Sequence, residues 1–249
     1  MQRTTIQRLG LTIGTALAIA GLAFVPASAI ATTAKTAANT SATTAAQQAR
    51  IKLIVTRGDS EINRRLGSLQ TLSSKISSAT KLTASDQASL SGEVNTEISG
   101  LASLKTQLDA DTTLTAAQTD AQSIINDYRV YALIVPKVNL VKTADDQQVA
   151  EGKLAALVPK LQSRISATKT AGKEVTSLQS GLTAMNNQIS AAQAISSQIE
   201  SGVVGLQPSD YNSNHSVLSG DRDQLKNAQT DIKAAVSDAT NIVTGLKNL

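Results

Sequence analysis

Cysteine is absent from this chain, and with it go disulfides, thiol catalysis, zinc–thiolate centres, iron–sulfur clusters and the lipidated cysteine of a bacterial lipoprotein. Tryptophan is absent too, and there is one histidine, one phenylalanine, three tyrosines and four prolines. His215 stands in "SNHS", where Ser and Asn serve as helix caps, and it reads as a solvated loop side chain. It has no second imidazole to complete a usual metal set and no visible catalytic partner. Neither a Gly-rich phosphate loop nor a nucleophile elbow occurs. The acidic pairs Asp109/Asp111, Asp145/Asp146 and Asp221/Asp223 lack calcium-loop spacing and read as helix-start carboxylates facing the helix dipole. These gaps argue against an enzyme and leave no catalytic residue, cofactor or metal ligand to name.

Charge of one sign is also lacking. The formal net charge is +4, and without Arg3 and Arg8 it comes to 21 basic against 19 acidic residues. That balance does not fit nucleic acid as a partner. Beyond residue 25 no apolar run is long enough to span a bilayer, so no stable membrane insertion is expected once a leader is removed.

What is present begins with an export signature. Arg3 and Arg8 make a basic start, an apolar stretch runs over residues 9–25, and Ala27, Ser28 and Ala29 follow Pro26 in the small-x-small pattern of a signal peptidase site. Residues 1–29 are therefore expected to be a Sec signal peptide, with a second possible cut after Ala31, and the product to be secreted, extracytoplasmic or at the cell surface. Residues 30–44 are almost all Ala, Thr and Ser and read as a flexible linker.

From about residue 45 apolar residues recur at helical spacing. The fold class expected is all-α: an elongated, antiparallel, coiled-coil-like bundle of about six helices, over residues 45–80, 84–110, 116–141, 143–170, 173–201 and 215–247. The first stripe is Ile51, Val55, Ile62, Leu66, Leu69, Leu72 and Ile76. The second is Leu90, Val94, Ile98 (or Glu97), Leu101, Leu104 and Leu108, opened by Thr83 capping onto Asp86. Thr115 and Gln118 suggest a capping box for the third. Gly172 closes the fourth, and Leu178, Leu182, Met185, Ile189, Ala192 and Ile199 mark the fifth. The last stripe reads Leu218, Leu225, Ile232, Val236, Ala239, Val243 and Leu246, and "SGVVGLQPSDYNSNH" before it reads as the longest loop.

"DYRVYALIVPK", residues 127–137, departs from this thin composition. Ile124, Tyr128, Tyr131 and Val135 fit one face of a helix continuing from Thr115, until Pro136 removes a donor and crowds the preceding turn. A kinked helix ending near residue 141 gives rods of roughly 40 Å, matching their neighbours at 1.5 Å per residue. A clean break at the proline and a short strand through residues 130–140 are the other readings. Tyr128, Arg129, Tyr131 and Tyr211 form the candidate interaction or ligand patch, set against plain core packing of the two tyrosines. Arg57, Gly58 and Asp59 spell an adhesion tripeptide, but they interrupt a helical stripe, where Gly58 would let a neighbouring helix approach.

At "EINRRL", "LTASD" and "DYRVYALIVPKVNLV" the chain resembles a group of exported, uncharacterised bacterial proteins expected to be helical, over about residues 50–162. The resemblance implies export and helicity and carries over no functional residue. Three functions follow as expectations. The first is a non-enzymatic structural or protein-interaction role in the cell envelope or extracellular space, with protein, including a second copy, as partner. The second is an extracytoplasmic small-ligand-binding module, and the third a membrane-active amphipathic protein.

Overall fold

The computed structural model describes the backbone of residues 27–249 and the side chains from residue 42. The expected leader therefore lies mostly outside the described residues. The chain divides into two compact units, Met1–Ala46 and Gln47–Leu249. In the first, the described backbone is helical: α1 is Ala27–Ser77, so it begins within the last residues of the expected signal peptide and runs through the whole of residues 30–44, expected to be a flexible linker. Alanine, the best helix former, recurs through that stretch, and Ser and Thr at these positions do not stop it.

The second unit is an all-α bundle with no strand among its residues. After α1 come α2 (Ala84–Ala110), α3 (Leu114–Asn126), a π-helical turn (Val130–Ile134), α4 (Val135–Ala155) and α5 (Val158–Thr170). Then follow α6 (Thr176–Val203), the short α7 (Pro208–Ser213) and α8 (Asp221–Lys247). Along the chain these make six rods: α1, α2, α3, the run from Val130 through α5, α6 and α8. Among the described residues no helix is long and apolar enough to cross a membrane.

The division between the third and fourth rods differs from the sequence reading. The chain leaves the helix at residues 127–129, not near 141, and Arg129 takes the left-handed conformation (φ 42°, ψ 33°). The next turn is widened. Leu133 and Ile134 both donate to Arg129 O, at 2.7 and 3.3 Å, and Val135 N bonds to Val130 O. Pro136 then sits in the first positions of α4. A π-turn moves the preceding carbonyls away from the ring, so the helical run continues through Pro136 rather than ending there. Thr143, the expected start of the fourth helix, lies in mid-helix, its hydroxyl donating back to Asn139 O (2.7 Å). The run is interrupted instead at Ala156 and Leu157, whose backbones stay right-handed helical, with Pro159 opening α5.

Caps account for the other ends. Thr83 accepts from Asp86 N (3.1 Å) at the start of α2. At α3 the cap is Thr113, accepting from Ala116 N (3.2 Å), so the expected Thr115–Gln118 box is displaced by two residues into the helix. After α5, Gly172 N bonds to Lys169 O (3.0 Å) and Lys173 N to Thr168 O (3.3 Å), the paired bonds of a Schellman end. They require the positive φ of Gly172 (82°). The expected long loop contains α7, whose Asp210 carboxylate accepts from Gln207 N (2.8 Å). It carries on to Gly220, so the last helix starts at Asp221 rather than 215, leaving His215 and Leu218 in the turn before it.

Two apolar cores fill the bundle. The first joins α1, α2, α3, the π-turn and the first half of α4, and takes in the end of α6 and the start of α8. The second joins the end of α4 to α5, α6 and α8. In α6 the buried positions are Leu178, Leu182, Met185, Ile189, Ala192, Ser196, Ile199 and Val203, alternating steps of four and three. In α8 they are Leu225, Ala228, Ile232, Ala235, Ala239 and Ile242, in the same rhythm. This is the seam of a coiled coil. The pair is antiparallel: Gly245 lies against Leu178 and Gly181 against Ile242. Val236, assigned to the stripe from sequence, is 48% exposed, because the 3–4 register selects Ala235, and small residues there let α6 approach.

Candidate functional site

The four residues of the sequence-derived patch do not form one site. Tyr128 turns to α2 and packs over Gly100, where a Cβ would lie 2.7 Å from its Cε1. Burial pushes its hydroxyl pKa up, with the charges of Glu97 and Asp127 adding to the effect. Tyr131 turns to α1: its hydroxyl lies 3.1 Å from Ser68 Oγ, and the guanidinium carbons of Arg64 and Arg65 lie 5.1 and 5.3 Å from its ring centre. The left-handed residue between the tyrosines sends them to different neighbours, so the single face expected with Ile124 and Val135 does not form.

Arg129 and Tyr211 do meet. The Arg129 guanidinium carbon lies 5.4 Å from the Tyr211 ring centre, and its Nε donates to Asn212 Oδ1 (2.5 Å) and an Nη to Asn126 Oδ1 (3.0 Å). Asn212 Nδ2 donates to Asn126 O (2.8 Å), and the His215 ring stands 5.1 Å from Tyr211. These contacts tie α7 to the break after α3. The hydrogen bonds among Arg129, Asn126 and Asn212 hold the loop, which is a structural task. The adhesion tripeptide is likewise structural: Gly58 is buried in α1 against Leu108 of α2, and Asp59 accepts from Lys105 Nζ (2.8 Å).

The most developed surface lies around α4. Its exposed residues Asn139 and Thr143 form a ridge between two clefts. On the α1 side one cleft of about 560 Å³ is lined by Lys75, Lys81, Leu82, Lys142 and Asp146. It is continued by a smaller one of about 430 Å³ at Arg64, Ser68 and Tyr131. On the α8 side a cleft of about 520 Å³ is lined by Pro136, Leu140, Leu218, Arg222, Leu225 and Lys226. The charged lining is Arg64, Lys75, Lys81, Lys142, Arg222 and Lys226 against a single acid, Asp146. Asp146 is matched by Lys142 (2.7 Å) and Lys81 (3.8 Å), Arg64 by Glu61 (2.6 Å) and Lys226 by Asp223 (2.8 Å). Lys75 and Arg222 make no ion pair among the described residues.

Beneath this face the core holds charge that the sequence reading missed. Lys137 is fully buried and donates to Glu93 Oε1 (2.5 Å) and to Leu206 O (2.6 Å). Glu97 occupies the core position shared in the reading with Ile98, and its Oε2 has no partner. Burial, helped by Glu93 and opposed by Lys137, pushes its carboxyl up to about 7. Between the two apolar cores lies a polar layer. Gln147 Nε2 donates to Leu225 O (2.8 Å), and Ser196 Oγ donates to Glu151 Oε1 (2.8 Å), with Gln147 Oε1 at 3.2 Å. Asp145, read as a helix-start carboxylate, is instead buried in mid-α4 near Asp86 and Glu200. The signal was there to be counted. Started at Val130 rather than Thr115, the helical stripe runs 130, 133, 134, 137, 138, 141, 144, 145, and Lys137 and Asp145 fall on it.

No protein-family model, curated protein or solved structure matches this chain. The resemblance carried by the tyrosine segment accordingly gains nothing from relatives, and the function rests on the residues themselves.

Proposed function

We propose that this chain is an exported, non-enzymatic helical-bundle protein with a protein-interaction role in the cell envelope or extracellular space. Its working surface is the face where the Asn139–Thr143 ridge of α4 lies between α1 and α8. The supporting observation is the pair of clefts along that ridge, apolar at the floor and basic at the rim. A partner suited to it presents apolar side chains flanked by carboxylates, which meet Lys75 and Arg222 without having to break an existing ion pair. Export rests on the basic start, apolar stretch and Ala27–Ser28–Ala29 pattern of the N-terminus.

The test is crosslinking in intact cells with wild type and an Asn139→Glu/Thr143→Glu double variant. Both positions are exposed on a helix, so the substitutions leave the core alone and place negative charge on the ridge. The reading expects a protein partner captured by wild type and lost from the variant; equal capture by both would refute this surface. A second reading, a small-ligand-binding module, is favoured by one observation: the 520 Å³ cleft on the α8 side falls within the size range of ligand pockets and has two cations at its rim. A small anionic metabolite that raises the melting temperature, with the rise abolished by Arg222→Ala, would select it.

A further inference from the structure

Three carboxylates from three helices converge beside the polar layer: Asp86 in the first turn of α2, Asp145 in mid-α4 and Glu200 near the end of α6. One oxygen of each lies within 4.8 Å of one oxygen of both others. Asp86 and Asp145 are buried, and Glu200 is half-buried. Among the described residues none of the three makes an ion pair; the nearby lysines, Lys81 and Lys142, are engaged by Asp146 instead.

Each carboxylate is held through one oxygen. Asp86 Oδ2 accepts from Thr83 Oγ1 (2.6 Å), Asp145 Oδ2 from Thr83 N (2.9 Å) and Glu200 Oε2 from Gln148 Nε2 (2.7 Å). The other oxygen of Asp145, Oδ1, is buried and has no hydrogen-bond partner at all, in a residue 1% exposed. An unpartnered carboxylate oxygen in the interior is costly, and two more carboxylates beside it add to the cost. Neutral donors that fix one oxygen and leave the other for an ion are the usual surroundings of a carboxylate ligand.

From this arrangement we propose that Asp86, Asp145 and Glu200 bind a hard divalent cation of calcium's size. Oxygens that share a calcium ion sit at about 2.4 Å from it, so two of them lie at most about 4.8 Å apart, the limit this trio meets. Hard cations take oxygen ligands, and carboxylates are the strongest of those available to a chain without cysteine. Three negative charges against two positive also remove most of the repulsion within the cluster. The same repulsion acts in the ion-free chain, where burial, opposed by the Thr83 amide and reinforced by Asp86, Glu200 and Asp146, pushes the Asp145 carboxyl up to about 6. The ion would tie α2, α4 and α6 together at one point, and the proposal stands independently of the partner surface on α4.

The experiment is calcium titration of the chelator-treated full chain by calorimetry, with melting temperature followed in parallel at constant ionic strength and pH 7.5. Wild type is expected to bind one calcium per chain and to melt roughly 5 °C higher at saturating ion. Asp145→Asn and Glu200→Gln are each expected to weaken binding at least about tenfold and to lose the melting shift. Glu200 is the more exposed of the two, so its variant keeps the test open should Asp145→Asn fail to fold. No calcium bound by wild type up to about 10 mM, a range that covers weak extracellular sites, would overturn the proposal. So would equal binding and equal shifts in wild type and both variants.

Discussion

The two apolar cores of the bundle are built on different terms. The second, where α6 and α8 pair with α5 and the end of α4, is a coiled-coil seam of Leu, Ile, Met and Ala in strict 3–4 alternation. Its buried residues include no charged side chain. The first core encloses Lys137, Glu97 and, towards its edge, Asp86, Asp145 and Arg65 among larger apolar side chains. The polar layer of Gln147, Glu151 and Ser196 marks the change from one to the other. A regular seam is stabilised by repetition, so each position is worth about what its neighbours are. A core with buried charge concentrates its energetics in a few residues whose desolvation must be met by named partners.

Breaking single residues in each core exposes the contrast. Lys137→Ala leaves the partly buried Glu93 beside Glu97 without its cation and opens a cavity; the expected loss is ~3–5 kcal/mol in urea unfolding. Replacing Lys137 and Glu93 together by Met and Leu removes both charges, and stability is expected to return to within about 1 kcal/mol of wild type or above it. In the seam, Met185→Ala is expected to cost ~2–5 kcal/mol through lost burial and a cavity, with no partner substitution that restores it. If the Lys137/Glu93 double variant were no better than Lys137→Ala, buried charge would not be what distinguishes the first core.

Acidity separates the cores further. The Glu97 carboxyl stands at about 7 in the folded chain, above its ordinary value of 4.5. The folded state therefore holds this proton more tightly than the unfolded state does. Its contribution to stability is complete below about pH 4.5 and is lost as pH rises towards 7, so this group makes the chain less stable at pH 7.5 than at pH 5. With the intrinsic base-catalysed rise in exchange divided out, amide protection is expected to fall in α2 across that interval while the middles of α6 and α8 change little, and Glu97→Gln to flatten the response. An equal fall in protection in both cores would remove the distinction. The smallest effect is expected at Tyr131→Phe. Tyr131 is itself exposed and its hydroxyl meets only the half-buried Ser68, so unfolding should change by less than about 0.5 kcal/mol, against the larger loss at buried Lys137 six residues on.

The readability of the chain follows the same division. In α6 every residue of the sequence stripe is buried, and the buried face adds only Ser196 and Val203, because an unbroken 3–4 pattern leaves only one face to bury. In α8 the register slipped at Val236, since valine is the more apolar residue but Ala235 occupies the seam. The segment from Thr113 to Leu157 was read least well. Pro136 suggested a kink, yet the helical run passes through it, while the real break at Arg129 is a non-glycine residue with positive φ, which no local pattern announces. Of the expected patch, only Arg129 and Tyr211 come together, and α7, missed inside the loop, is what joins them.

Sequence by itself determined that this chain is helical and bundled, because spacing every three or four residues is a local property that any segment displays without its neighbours. It also excluded thiol and zinc–thiolate chemistry. Tertiary structure alone decided which face of each rod is buried where stripes were ambiguous, and where the third rod ends. It also decided that Lys137 and Asp145 lie inside. A charged side chain enters a core only where distant groups answer it: Glu93 and Leu206 O meet Lys137 across 44 and 69 residues of chain, and Thr83 meets Asp145 across 62. Those partners are set by packing, not by spacing, and so is the convergence of Asp86, Asp145 and Glu200.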